Sequence, residues 1–249
     1  MNRQRLIDLS VVLAWGPTGR TVWRNGLGGL GRTLGLGLVV LAVGVLYGAM
    51  FKGNLSSGST YIWSLALGLV VWTFLAGMIR EAARAYSLWE PVLRRNPMPF
   101  LAVLLAVPVR GAPLLAVNLL VLGVSRQLIL GGDLNVADFV AALVLLVVSG
   151  AWMAVVCGYL CARFQGVGEL LIWGFQLAFF LTPILWPDYF LGRYEPALVF
   201  NPLYHLIVVA RAGIGAGEAN GLSWSVALIL AVAGGGLALL LHRHWRVHA

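Results

Sequence analysis

Long apolar runs alternate along this chain with short polar interruptions. Six runs come near the length of about 20 residues that an apolar helix needs to cross a bilayer: residues 33–51, 61–79, 100–124, 139–160, 170–186 and 222–241. Each is apolar all round rather than along one stripe, which is what surrounding lipid demands of a helix. None alternates with the period of two that a barrel strand would show. The pattern predicts an all-α membrane protein with six transmembrane helices in one domain over 1–249.

Two segments depart from that rhythm. Residues 5–15, "RLIDLSVVLAW", have a broad apolar face with Arg5 and Asp8 at the start, and Gly16-Pro17 ends them. They are too short to span and predict an amphipathic helix lying flat in the membrane interface. The second segment, 187–221, is apolar but broken at Pro187, Pro196 and Pro202. Its two apolar pieces, 189–200 and 203–214, are each of the length that suits re-entrant or interfacial helices. Asn201-Pro202 supplies a corner between them, with proline at the start of a helix. The expectation is a helical hairpin entering the membrane from outside. Its backbone must then be shielded by protein or line a wet cavity.

The inner connection after the second run reads "REAARAYSLWEPVLRRNPMP". Arg80, Glu81 and Arg84 continue the helix past the bilayer, and "NPMP" forces a turn. Between them, 86–95 predicts a short surface helix on which Trp89 and Leu93 suit docking to a soluble partner; an interfacial loop with its Trp at the headgroups is the plainer reading. Arg110 lies about ten residues past the turn, on the order of 15 Å along the third helix. A charge at depth is costly unless it is paired or wetted. Arg110 therefore faces protein or water, or its helix starts earlier than the apolar run suggests.

Composition agrees with this picture. Hydrophobic residues make up 60% of the 249 and charged residues 10%, far below the roughly 25% charge of a soluble domain. The net charge of +8 does not point to nucleic acid, because the charges fall between the runs. With the N-terminus inside, one side holds 12 Lys and Arg and the other four, which sets both termini cytoplasmic. Met1–Gly31 shows no signal-peptide pattern. Cys157 and Cys161, the only cysteines, are four apart on one helix and read as small packing residues.

Candidate chemistry is sparse. The single lysine, Lys52, is followed by Gly53 and Asn54, so the Gly-Lys-Ser/Thr of a phosphate-binding loop cannot occur. No metal is expected: "HRHWRVH" at the tail reads as an anchor for the last helix at the headgroups, with metal binding the lesser reading. No catalytic constellation is visible. Acids within the runs are too few to support a proton-coupled carrier. Aromatics at helical spacing are candidates for a wall on which a sugar chain could slide: Tyr47 and Phe51, Trp72 and Phe74, Phe175 and Phe179, and Trp186. The alternative is lipid-facing rings and interfacial belts.

Four stretches are familiar together: "LGLVVWTFLAGMIREAARAY", "LRRNPMPF", "LTPILWP" and "NPLYHLIVVARAGI". Over nearly its whole length the chain resembles permease subunits of type-2 ABC exporters, in the branch that exports O-antigen, capsule and teichoic acid. Thr182-Pro183, Asn201-Pro202-Leu203 and Arg211 match that family's pattern; Gln165-Gly166 stand where the family usually has Arg-Asp. The resemblance implies a homodimer in the bacterial inner membrane, driven by two copies of a separate ATPase that uses ATP and Mg, with a lipid-linked polysaccharide as cargo. It implies no cofactor in this chain and no enzyme activity of its own. By the same resemblance, 86–95 (Tyr86, Leu88, Trp89, Leu93, Arg94, Arg95) is the coupling helix and 187–221 (with Asn201, Pro202, Tyr204, Arg211) the outer gate. The rival readings are a permease for a small hydrophobic compound or lipid, and an intramembrane enzyme acting on lipid-linked sugars.

Overall fold

The computed structural model describes residues 58–95, 99–131, 135–164, 166–186 and 188–248, with isolated positions at 31, 35, 37–40 and 42. The interfacial helix expected at 5–15, and Tyr47 and Phe51, lie outside the described residues, as does most of the first apolar run. The described residues are helical, without a strand. They form α1 (Gly58–Arg95), α2 (Phe100–Leu130), α3 (Val136–Arg163), α4 (Val167–Leu181), a 3-10 segment (Asp188–Phe200), α5 (Pro202–Gly213) and α6 (Gly221–His248). Among the described residues four helices are long and apolar enough to cross a membrane, and α4 is a shorter apolar one. The described part of the chain is thus all-helical and fits a membrane protein.

Three boundaries differ from the pattern-based expectation. The second run and the surface helix expected at 86–95 are one unbroken helix of 38 residues, α1, about 57 Å long at 1.5 Å per residue. Pro91 does not stop it. The helix also packs on α2 and α3, and that packing outweighs a local breaker. The third run is likewise longer than expected, reaching Leu130 as α2. The fifth is shorter: α4 ends at Leu181, not at Trp186. The residue before a proline is pushed out of the α region, and Thr182 is extended at φ −105°, ψ 135° ahead of Pro183. With 15 residues, α4 is about 22 Å long, shorter than the roughly 30 Å hydrocarbon core.

α3 is the hub, touching α1, α2, α4, α5 and α6. Its start is fixed by Asn135, whose side chain accepts from the backbone N–H groups of Ala137 and Asp138. Burial differs sharply between helices. The apolar window of α1 is 72% buried within this one chain and that of α6 22%. So α1 is an internal post, whereas α6 turns Leu228, Ile229, Val232, Leu239 and Leu240 outward. Glycines set two close approaches. A Cβ at Gly158 would enter Leu104 of α2, and one at Gly234 would enter the indole of Trp152 on α3. Within "GGG", only Gly234 meets a neighbour; Gly235 and Gly236 face open space, as do Gly35 and Gly37 of "LGLGL".

One end of the bundle is closed by aromatic rings. Tyr86 of α1 meets Phe100 of α2 edge-on at 5.4 Å, and Phe100 meets Tyr159 of α3 at 5.6 Å. Trp245 of α6 lies 5.3 Å from Tyr159 and 6.2 Å from Phe100. Edge-to-face pairs of this kind contribute about 0.5–1.5 kcal/mol each beyond their buried area.

Candidate functional site

The other end is held by directed polar bonds, centred where α4 stops and α5 starts. A helix leaves its last four carbonyls without intrahelical partners. At membrane depth no water would satisfy them, so protein must. In α4 each of the four has a donor. The Thr182 hydroxyl donates to Ala178 O at 2.8 Å, and the Thr182 backbone N–H to Phe179 O at 3.4 Å. The Trp186 indole N–H reaches Phe180 O at 3.3 Å, and the Asn201 amide reaches Leu181 O at 3.3 Å. The irregular turn beyond is treated alike. Ile184 N donates to Thr182 O, an Arg211 Nη to Pro183 O at 2.8 Å, and the Tyr61 hydroxyl to Leu185 O at 2.6 Å.

Asn201 serves two helices at once. Its Oδ1 accepts from Leu203 N at 3.0 Å and Tyr204 N at 3.4 Å, capping α5, with Pro202 in the first turn, where its missing N–H costs nothing. Its Nδ2 donates to Leu181 O and to Thr182 Oγ1 at 3.0 Å. One amide therefore closes the C-terminus of α4 and the N-terminus of α5. Thr182, Pro183, Asn201 and Arg211, the residues on which the sequence resemblance rests, are brought together here across as many as 28 positions.

Asp188 completes the cluster. Its carboxylate takes an Arg211 Nη at 3.4 Å on one oxygen and the Tyr204 hydroxyl at 3.0 Å on the other. The side chains of Arg211 and Asp188 are 12% and 26% exposed, so water screens the pair only in part. Sequence reasoning missed Asp188. Its one available signal was an acid placed just after the Pro187 break, in a chain holding only nine acids. His205, buried, extends the network to α6: Nε2 donates to Val199 O at 2.9 Å. Its Nδ1 lies 3.1 Å from the Ser223 hydroxyl oxygen. The face of α5 bearing Leu206, Ile207, Val209 and Ala210 is buried, and the helix packs on α3, α6 and α1.

The remaining candidates are dispersed. Trp72 stacks on Phe175 at 4.2 Å and meets Phe179 at 5.3 Å, a three-ring contact between α1 and α4. Phe74 belongs elsewhere, beside Gly111 and Gly150, where it joins α1 to α2 and α3. Trp72 and Phe74 are both buried inside this one chain. Trp186 is half-buried on its bond to Phe180. On the 86–95 stretch, Tyr86, Trp89 and Leu93 pack partly against the core, while Leu88 is 70% exposed and Arg94 and Arg95 point outward. Arg94 pairs with Glu90 one turn back at 2.7 Å. Arg110 pairs with Glu81 of α1 at 3.0 Å. Glu81 lies 20 residues from Tyr61, about 30 Å along α1, so the pair sits one hydrocarbon thickness from the opposite end of that helix. The first ten residues of α2 run beyond that level, which explains a charge inside an apolar run.

Both cysteines are free, and His242 at the tail bonds Tyr159 at 2.7 Å. Among the described residues no three metal-ligating side chains gather. Gly166 takes φ +89°, a left-handed conformation that glycine adopts without strain. Compared with models of known protein families and with curated proteins, the sequence matches none.

Proposed function

We propose that this chain is the membrane-spanning permease subunit of an ATP-driven exporter. In this reading it works as a homodimer in the bacterial inner membrane, with two copies of a separate ATPase, and moves a lipid-linked polysaccharide outward. Both termini are cytoplasmic, six helices span, and 187–221 forms the outer gate. The observation that supports it is the closure around Asn201. The residues on which the resemblance rests are far apart in sequence, yet they share one hydrogen-bonded cluster at the end of a helix too short to span. Such a cluster lets irregular backbone exist at membrane depth, which a gate requires and a plain bundle does not.

The mechanism follows from the continuity of one helix. α1 is continuous from the Tyr61 contact with Leu185 to the outward-facing Leu88, Arg94 and Arg95. A push on its far end by the ATPase is therefore transmitted by a rigid helix to the turn that holds the gate. Movement there changes the bonds of Pro183, Asp188 and Arg211, and α5 shifts against α3.

One observation favours the second reading, a small hydrophobic compound or lipid as cargo. Trp72 and Phe74 are buried in the single chain, which leaves fewer rings for a polymer-sized wall. Reconstitution decides both the class and the cargo. The chain alone in lipid should turn over no nucleotide, and the chain with its ATPase should, with stimulation by lipid-linked polymer rather than by short amphiphiles. Replacing Leu88 with Asp should release the ATPase and leave insertion intact. Nucleotide turnover by the lone chain would overturn the proposal.

A further inference from the structure

A groove between α1 and α2, whose outer end includes Leu88 and Trp89, combines charged and apolar residues. Its lower part is a cleft of about 610 Å3 with an apolar floor that includes Val103 and Val107, and a rim of Arg80, Arg84, Glu81 and Arg110. Arg110 is neutralised by Glu81. Among the described residues neither Arg80 nor Arg84 pairs with a carboxylate, so two positive charges face the cleft uncompensated. Both are exposed. Arg80 lies 19 residues from Tyr61, about 28 Å along α1, and Arg84 one turn further. With Tyr61 at one boundary of the hydrocarbon core, that interval is one hydrocarbon thickness and sets the two guanidiniums at headgroup level.

A second cleft, of about 430 Å3, adjoins the first and shares Arg80 and Glu81 with it. It runs back along the helices toward the membrane interior between Phe74, Met78, Leu114 and Leu115. It ends beside Asn118, eight residues or about 12 Å beyond Arg110, so a longer chain would leave it sideways into the bilayer. Gly77 lines this cleft with nothing within 4 Å of where a Cβ would stand. A charged mouth at headgroup level above an apolar slot matches one kind of molecule.

We infer that the α1–α2 groove binds an anionic membrane phospholipid, with its phosphate between Arg80 and Arg84 and the first part of one acyl chain in the slot beside Gly77. Guanidinium–phosphate bonds are charge-assisted and planar, and they favour a net-negative headgroup over a zwitterionic one. The inference stands whether or not the chain is an exporter subunit, because it needs only a bilayer around the helices.

Native mass spectrometry of the full-length chain, released from detergent after addition of equal amounts of phosphatidylglycerol and phosphatidylcholine, tests it. The expected result is preferential retention of phosphatidylglycerol. The double change Arg80→Gln with Arg84→Gln should reduce that retention about tenfold or more, since two charge-assisted bonds are lost. Gly77→Leu keeps every charge and suits a helix better than glycine, yet it fills the slot. It should lower retention of the long-chain lipid while helicity and elution stay as in the parent. Millimolar glycerol 3-phosphate should not compete. Equal retention of the two lipids by the parent would overturn the inference, and so would an unchanged preference in the double variant. Indifference to Gly77→Leu would remove the acyl slot. Displacement by glycerol phosphate would make this a free-phosphate site instead.

Discussion

The two ends of the helical bundle are fixed by opposite means. Around Asn201 the backbone is irregular, and few groups each make several directed bonds. Around Phe100 the helices are regular, and four rings from four elements touch without directed bonds being required. Ring packing degrades gradually as contacts are removed. A hydrogen-bonded closure fails at once, because each lost partner leaves a buried polar group unmet. The polar end is therefore the more sensitive to a single substitution, and the aromatic end the more tolerant.

Substitutions can break that contrast, beginning with the largest effect. Arg211→Met should cost about 3–5 kcal/mol, because it takes from Asp188 its cationic partner, leaving the Tyr204 hydroxyl, and uncovers Pro183 O. Thermal unfolding in detergent would register it, and adding Asp188→Asn should restore part of the loss. Recovery of none would mean that the two residues do not act as a pair. Asn201→Ala comes next, at about 2–4 kcal/mol, since it removes a cap from α5 and the donor to Leu181 O. Asn201→Asp keeps the acceptor for α5 but gives up donation to α4, so it should fall between alanine and the parent.

Effects at the aromatic end should be smaller. Gly158→Ala places a methyl against Leu104, an overpacking cost of about 1–3 kcal/mol. Tyr159→Phe keeps the ring and loses the bond to His242, about 1 kcal/mol. If Tyr159→Phe proved as damaging as Asn201→Ala, the contrast between the ends would be false. On the exporter reading proposed above, the Asn201 and Arg211 variants should lose cargo movement before they lose ATPase association, and Leu88→Asp the reverse.

Much of the architecture was legible in the order of residues. Four of the apolar runs correspond to α1, α2, α3 and α6, because a helix that must face lipid needs an apolar surface throughout and its length follows from bilayer thickness. The stop at Thr182-Pro183 was partly legible. The "TP" pair marks a break, but the apolar run continues to Trp186, and hydropathy cannot report a backbone turn. The corner at Asn201-Pro202 was legible because its chemistry is local: an amide cap followed by a residue without an N–H. The continuity of α1 through Pro91 was not, because packing on α2 and α3 decides it. Nor was the orientation of Trp89 and Leu93, which lie partly against the core while Leu88 faces out. Helical phase in a segment rich in both apolar and charged residues is ambiguous until a neighbour is present.

Sequence alone determined that this chain is helical, needs lipid and breaks its pattern between 182 and 214, because hydrophobicity and proline act on the residues that bear them. Only the tertiary structure decided that Asn201 joins two helix ends, that Asp188 holds Arg211, and that Trp72 and Phe74 belong to different contacts. Those are pairings between residues distant along the chain. Which donor meets which acceptor is set by how the helices pack, and no local property of either residue encodes it.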